Sequence, residues 1–189
     1  MKQTHTQPQQ THFLGVLPSD DLRADIEESR RYMAGAFGCK SGHKTPLHVT
    51  LIPPFRLSEE FCTADIERAL QNGVLPRACD LRFTARIDGY GSFAERTVFA
   101  RVKCSLEWTV LRDAVFSALT AECPRCTKKD ARAFTPHITV ANRDIPSGAV
   151  QKALIVLNEQ GLQAEFQADN VAIFERKNGL WEIASVLEF

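Results

Sequence analysis

Two histidine–threonine pairs in this chain are of the types that acid–base chemistry on a phosphate needs. His48 and Thr50 lie in Pro46-Leu47-His48-Val49-Thr50-Leu51-Ile52, and His137 and Thr139 in Pro136-His137-Ile138-Thr139-Val140. Histidine titrates near neutrality, so one imidazole can start as base while its partner starts as acid. Threonine hydroxyls can donate hydrogen bonds to phosphate oxygens as negative charge builds up on them. On a β-strand, residues i and i+2 share a face while i+1 points the other way. Each histidine should therefore look out beside its threonine, with Val49, Leu51, Ile138 and Val140 turned to the core. If the two strands face one another, the cleft between them holds two imidazoles and two hydroxyls. The sequence does not distinguish base from acid.

A bare His-x-Thr is cheap: His43-Lys44-Thr45 is a third match. That copy puts Lys44 where a buried residue belongs and lies in a Gly-Ser loop without apolar alternation. The other two share a longer pattern: a proline just upstream, His, a β-branched residue, Thr, then an aliphatic residue. Two such copies in matching surroundings are read as functional rather than as ordinary strand histidines.

The elements that must position them follow from periodicity and punctuation. An apolar run at 12–17, closed by Pro18, predicts a strand. Ser19 then caps a helix over 19–37, with Leu22, Ile26, Met33 and Phe37 as its apolar stripe and Gly35 or Gly38 at its end. After a polar loop at 39–45 comes the first motif strand, 46–52, stopped by Pro53-Pro54. A helix over 58–70, a strand over 81–87, turn chemistry at 88–92 and a strand over 98–103 complete the first half. A helix over 106–122 and a loop at 123–133 lead to the second motif strand, followed by a helix over 147–161. Strands at 166–175 and 180–189 close the chain as a hairpin around Lys177-Asn178-Gly179. Each motif strand follows a strand and a helix, which is a weak internal repeat. The expected fold is α+β with two pseudo-symmetric lobes. Each lobe is a mainly antiparallel sheet with helices outside, and the central cleft carries the two motif strands.

Composition narrows the partners. The chain has 189 residues, 44% of them hydrophobic, and a formal net charge of zero. Binding that draws on phosphate neutralisation along a duplex wants a basic excess, so long duplex nucleic acid is not an expected partner. No stretch has the apolar length to span a bilayer, and the start of the chain lacks the apolar core of a signal peptide. Residues 1–11 are expected to be a disordered polar tail and 12–189 a single bilobal domain. The six cysteines are expected to be thiols in a cytoplasmic protein. Cys123-Pro124-Arg125-Cys126 lacks the second ligand pair of a structural zinc site, and it follows a helix instead of opening one. No metal or cofactor is expected.

With these residues in view, Pro46-Leu-His-Val-Thr-Leu-Ile-Pro-Pro-Phe55 and Phe134-Thr-Pro-His-Ile-Thr-Val140 resemble the two signature motifs of the 2H phosphoesterase superfamily. The branch most similar is the 2′-5′ RNA ligase-like proteins and cyclic phosphodiesterases. The resemblance runs from Phe13 to Phe189 and takes in Ile87-Asp-Gly-Tyr-Gly-Ser-Phe93 and Gly179-Leu-Trp-Glu182. It implies two lobes about a pseudo-twofold axis and metal-independent opening of 2′,3′-cyclic phosphates, or cleavage and joining of 2′-5′ linkages. It also implies a nucleotide or RNA 3′ end as substrate, and His48, Thr50, His137 and Thr139 as the catalytic residues. Phe55 and Phe134 are candidates to flank a base or ribose, and Lys44 and Arg143 to attract phosphate. Arg143 falls about one residue later than the family's arginine. A monomer is expected. Two rival readings are a non-catalytic nucleotide-binding module using the same cleft, and a phosphodiesterase for a non-RNA cyclic nucleotide.

Overall fold

The computed structural model describes residues 10–129 and 133–189; most of the expected tail, residues 1–9, lies outside them. Strands β1 (His12–Val16), β2 (Val49–Phe55), β3 (Phe83–Phe93), β4 (Thr97–Val102), β5 (His137–Asn142), β6 (Gln163–Ala168), β7 (Asn170–Lys177) and β8 (Leu180–Glu188) form one antiparallel sheet. Their order is β6-β3-β4-β5-β2-β1-β7-β8. Helices α1 (Asp20–Phe37), α2 (Thr63–Gly73), α3 (Ala78–Leu81), α4 (Leu106–Glu122) and α5 (Ala149–Glu159) supply the other layer. No described helix is long and apolar enough to cross a membrane.

Two four-stranded halves, β6-β3-β4-β5 and β2-β1-β7-β8, meet through the motif strands. The only registered pair between β2 and β5 is Val49 with Ile138. The expected two-lobed α+β architecture is thus observed, with its halves hinged at one residue pair. The helices knit the halves together by exchange. Helix α1, which follows β1 in one half, packs on β5 of the other, and α4, which follows β4, packs on α2 and β2.

Burial explains these choices. Leu22, Ile26 and Met33 of α1 are buried at helical spacing, and left-handed Gly38 (φ 72°) ends the helix. Ser19 sits at the N-cap, though its hydroxyl makes no capping hydrogen bond. Val49 and Leu51 of β2, and Ile138 and Val140 of β5, turn into the core as expected.

Four expectations need correction. The strand read over 166–175 is two strands, because the chain leaves β6 at Ala168 and enters β7 at Asn170, on the other side of the sheet order. Since one residue joins them, the sheet must curl enough to bring those two points together. Pro53-Pro54 do not stop β2. Beyond Val49 the strand pairs with β1 alone, and a register irregularity in β1 between His12 and Leu14 falls near the prolines, so the missing N–H groups are tolerated. The glycine-rich stretch 88–92 lies within β3, where a shift between Ile87 and Tyr90 and a positive φ of 68° at Gly89 mark a bulge instead of a turn. Thr11, assigned to the tail, is docked: its N–H donates to the Phe55 carbonyl at 2.8 Å and its hydroxyl accepts from Leu57 N–H at 2.9 Å.

The β6–β7 corner is held by Asn170, whose side chain accepts from Leu17 N–H (2.8 Å) and donates to Leu17 O (3.2 Å). Removing both partners orphans a part-buried backbone amide and carbonyl, at a cost of about 1–3 kcal/mol. Asn170→Ala should lower stability by that amount in urea denaturation, while Asn170→Asp, which keeps the acceptor, should lose less; equal losses would discount the amide's role.

Candidate active site: two imidazoles on aromatic beds

The motif strands place their polar residues by local rules. His48 stands immediately before β2, and its Nδ1–H donates to the carbonyl of Pro46 at 2.7 Å. His137 opens β5, and its Nδ1–H donates to the carbonyl of Thr135 at 2.8 Å. A carbonyl only accepts, so each contact fixes the neutral ring as the Nδ1–H tautomer and leaves Nε2 with its lone pair free for chemistry. The acceptor is the residue two positions upstream in both motifs. At His48 that lone pair accepts from the Thr50 hydroxyl at 3.1 Å.

The single pair Val49–Ile138 in antiparallel register sets His48 across from Thr139 and Thr50 across from His137. In backbone register each motif histidine thus stands opposite the other motif's threonine, the relation a twofold axis imposes. All four side chains are intermediate in exposure, neither sealed in nor free in solvent.

Aromatic rings orient the imidazoles. His48 packs on Phe13 of β1 (4.6 Å between centroids) and Phe174 of β7 (4.9 Å), which themselves stack 4.1 Å apart. Trp181 of β8 meets Phe13 edge-on at 4.9 Å. Gly15 makes room for this: a Cβ there would lie 2.8 Å from the Val49 carbonyl and 3.3 Å from His48 Cδ2. In the other half, His137 packs on Phe99 of β4 at 5.2 Å, and Phe93 of β3 meets its ring at 4.8 Å and 86°.

Both imidazoles are harder to protonate than free histidine. Burial is the main cause at His48, and the positive charges of Arg30 and His137 add to it against the opposing Pro46 carbonyl; the result is a pKa pushed down to about 4. Burial also lowers His137, opposed by its bond to Thr135.

The four supporting candidates do not join this cluster. Phe55 is buried at the far end of β2, its ring 6.1 Å from that of His12. Phe134 packs on Trp108 with the Arg112 guanidinium over its face. Phe55 lies past the register irregularity of the β1–β2 pair and Phe134 outside β5, and their ring partners are His12 and Trp108, not a motif histidine. Lys44 is exposed in a short helical turn, and Arg143 is exposed past the close of β5 with φ 71°. Among the described residues neither makes a hydrogen bond or ion pair to a motif residue. Cys123 and Cys126 are free thiols made less acidic by burial, Cys123 to about 11, the opposite of activated cysteines.

Sequence reading missed the aromatic bed and Arg30. The strand parity of Phe13 and Phe99 was a signal for the first. Arg30 of α1 is 4% exposed. Its guanidinium donates to Glu27 Oε1 (2.8 Å) and the Thr45 carbonyl (3.2 Å) through Nη1, and to the Thr139 carbonyl (3.0 Å) through Nη2.

A family model described as the 2′-5′ RNA ligase superfamily matches residues 18–180, and the chain belongs to that superfamily, the 2H phosphoesterase relationship its motifs implied. No curated protein matches it. Among solved structures it is similar to TT0787 of Thermus thermophilus, with TM-score 0.63 and 19% identity over 94% of this chain and 97% of that one. It is also similar to E. coli LigT complexed with 3′-AMP, with TM-score 0.59 and 17% identity over 95% and 98%. The MHV ns2 PDE domain matches with TM-score 0.59 and 13% identity over 95% and 99%. At such identities the structural likeness speaks for the fold.

The lowered His48 pKa has a consequence for stability. As pH falls from 6.5 toward 4 the unfolded chain takes up a proton at this position before the folded one does, so stability falls through that window and this loss stops below it. The full effect is on the order of 3 kcal/mol. Urea denaturation between pH 7 and pH 4 should show a steeper loss for wild type than for His48→Gln; parallel curves would mean that His48 titrates normally.

Proposed function

We propose that this chain is a metal-independent phosphodiesterase that opens 2′,3′-cyclic phosphates on nucleotides or at RNA ends, acting as a monomer in the cytoplasm. The observation that carries this reading is the pair of carbonyl-anchored imidazoles on opposed strands, each across from the other motif's threonine. Superfamily membership supports it, as do the nucleotides named with LigT, which include 3′-AMP, ATP and NADP+.

Ring opening needs a proton removed from attacking water on one side of phosphorus and one given to the departing ribose oxygen on the other. One Nε2 lone pair takes the first, and the partner's Nε2–H supplies the second. The new P–O bond to water forms as the P–O bond to ribose breaks, and the two imidazoles have then exchanged protonation states. Thr50 and Thr139 can donate to the non-bridging oxygens where charge accumulates. In the resting cleft the Thr50 proton is held by His48 Nε2, so a bound phosphate would have to redirect it. With a 5′-hydroxyl in place of water the same ring opening joins two ends, but water at its bulk concentration favours hydrolysis. Zero net charge fits a small ligand or a chain end better than a long duplex.

The test is turnover of nucleoside 2′,3′-cyclic monophosphates, and of a short RNA with a 2′,3′-cyclic end, in excess EDTA. Wild type should be active, His48→Ala and His137→Ala should each lose about 10²–10⁴-fold in kcat, and Thr50→Val or Thr139→Val about 10–10³-fold. Activity that survives both histidine variants would place the chemistry elsewhere, and tight nucleotide binding without turnover would make the cleft a binding module.

A further inference from the structure

The pseudo-twofold axis makes the two histidines near equivalents, yet ring opening needs one of them to begin neutral and the other protonated. Something in the fold must break the symmetry. Helices α1 and α4 occupy corresponding places, each leading from the strand beside a motif strand into that motif strand. The buried face of α4 is wholly apolar: Trp108, Leu111, Ala114, Val115, Ala118 and Leu119. The buried face of α1 carries Arg30.

Arg30 also sits where the halves hinge. Thr45 leads into the first motif and Thr139 belongs to the second, and one guanidinium donates to the carbonyls of both. Pairing between β2 and β5 does not extend past Val49 and Ile138, and two rigid N–H groups from a helix are a stiff substitute for a longer ladder. We propose, building on the hydrolytic reading above, that Arg30 is a positioning residue: it clamps the two motif strands and sets a fixed positive charge behind His48, making His48 the base and His137 the acid.

The charged surroundings support this direction. His48 faces uncharged Phe13 and Gly15 from β1, uncharged Phe174 from β7 and His137 from β5. From α1 it feels Arg30, whose charge is offset by Glu27; Glu27 in turn lies 3.7 Å from His43 of the preceding turn and is one-third exposed. Opposite His137 in register stands Arg101 of β4, whose guanidinium donates to the Tyr90 carbonyl at 2.8 Å; Arg30 is among the causes that lower His48, and no arginine is among those that lower His137. A phosphate anion bound between the rings would favour protonation of both, and Arg30 would hold His48 back.

The test needs no substrate at its first stage. Imidazole titration of wild type and Arg30→Met by NMR should show the His48 midpoint rising by roughly half a pH unit or more while the His137 midpoint stays. In the pH profile of kcat/KM the base governs the acid limb, so that limb should move up with His48, costing about twofold at pH 4 for a half-unit shift. Arg30→Lys keeps the charge but not the double clamp; its acid limb should stay near wild type while kcat falls. If Arg30→Met does not fold, Arg30→Gln, which keeps donors without charge, takes its place with the same expectation. An unmoved His48 midpoint, or both midpoints moving together, overturns the proposal. So does movement of the alkaline limb, which would make His48 the acid. Absence of turnover in wild type sinks the hydrolytic reading, and the base assignment with it, while the titration still reports on Arg30's charge.

Discussion

One backbone pair, Val49 with Ile138, is the constraint around which this molecule is arranged. A longer ladder between β2 and β5 would draw the motif strands into a flush sheet and close the space between them. No pairing at all would leave the two histidines without a common frame. The fold lies between these limits and recovers rigidity elsewhere. The crossed-over helices α1 and α4 each brace the opposite half, and Arg30 ties the strands where their own hydrogen bonds run out. The guanidinium is buried but not fully satisfied, since its Nε has no partner among the described residues. That is a cost of the clamp, because an unpaired buried donor opposes folding.

The aromatic beds have a double effect. They hold each imidazole plane in place without competing for its nitrogens, so orientation comes from packing and the tautomer from a carbonyl. The same rings exclude water, which makes a positive imidazolium costly and lowers both pKa values. The halves are not identical in this. His48 rests on buried Phe13 and Phe174, while His137 has buried Phe99 on one side and Phe93, 40% exposed, at its edge. The second histidine has the more open setting.

Much of this was legible from residue types because it rests on short-range rules. Alternation placed the four motif side chains on one face, and helix α4 matches its expected span at both ends. Alternation could not place Phe55 and Phe134, because one lies past the irregularity of the β1–β2 pair and the other outside β5. What could not be read depends on partners distant in sequence. Nothing near Arg30 announces that its guanidinium will meet Thr139, and a lone arginine on a helix reads as a solvated charge. The prolines at 53 and 54 looked like a stop because the sequence does not tell that β2 pairs on one side only there. The split at Asp169 did leave a signal, since the turn-favouring pair Asp169-Asn170 interrupts the run between β6 and β7.

That split bears on how the chain comes into being on the ribosome. Strand β1 emerges early, but one of its two neighbours is β7, and the far side of β7 is covered by β8. The duplicated layout therefore does not yield two halves that can be completed in turn. Until the segment beyond Asn170 has been synthesised, β1 shows an unpaired edge, and Phe13 lacks the ring it stacks on. Closing such long-range pairs last is slow and exposes apolar surface to other chains. The aromatic bed under His48 is thus assembled only after the segment beyond Asn170 has been made.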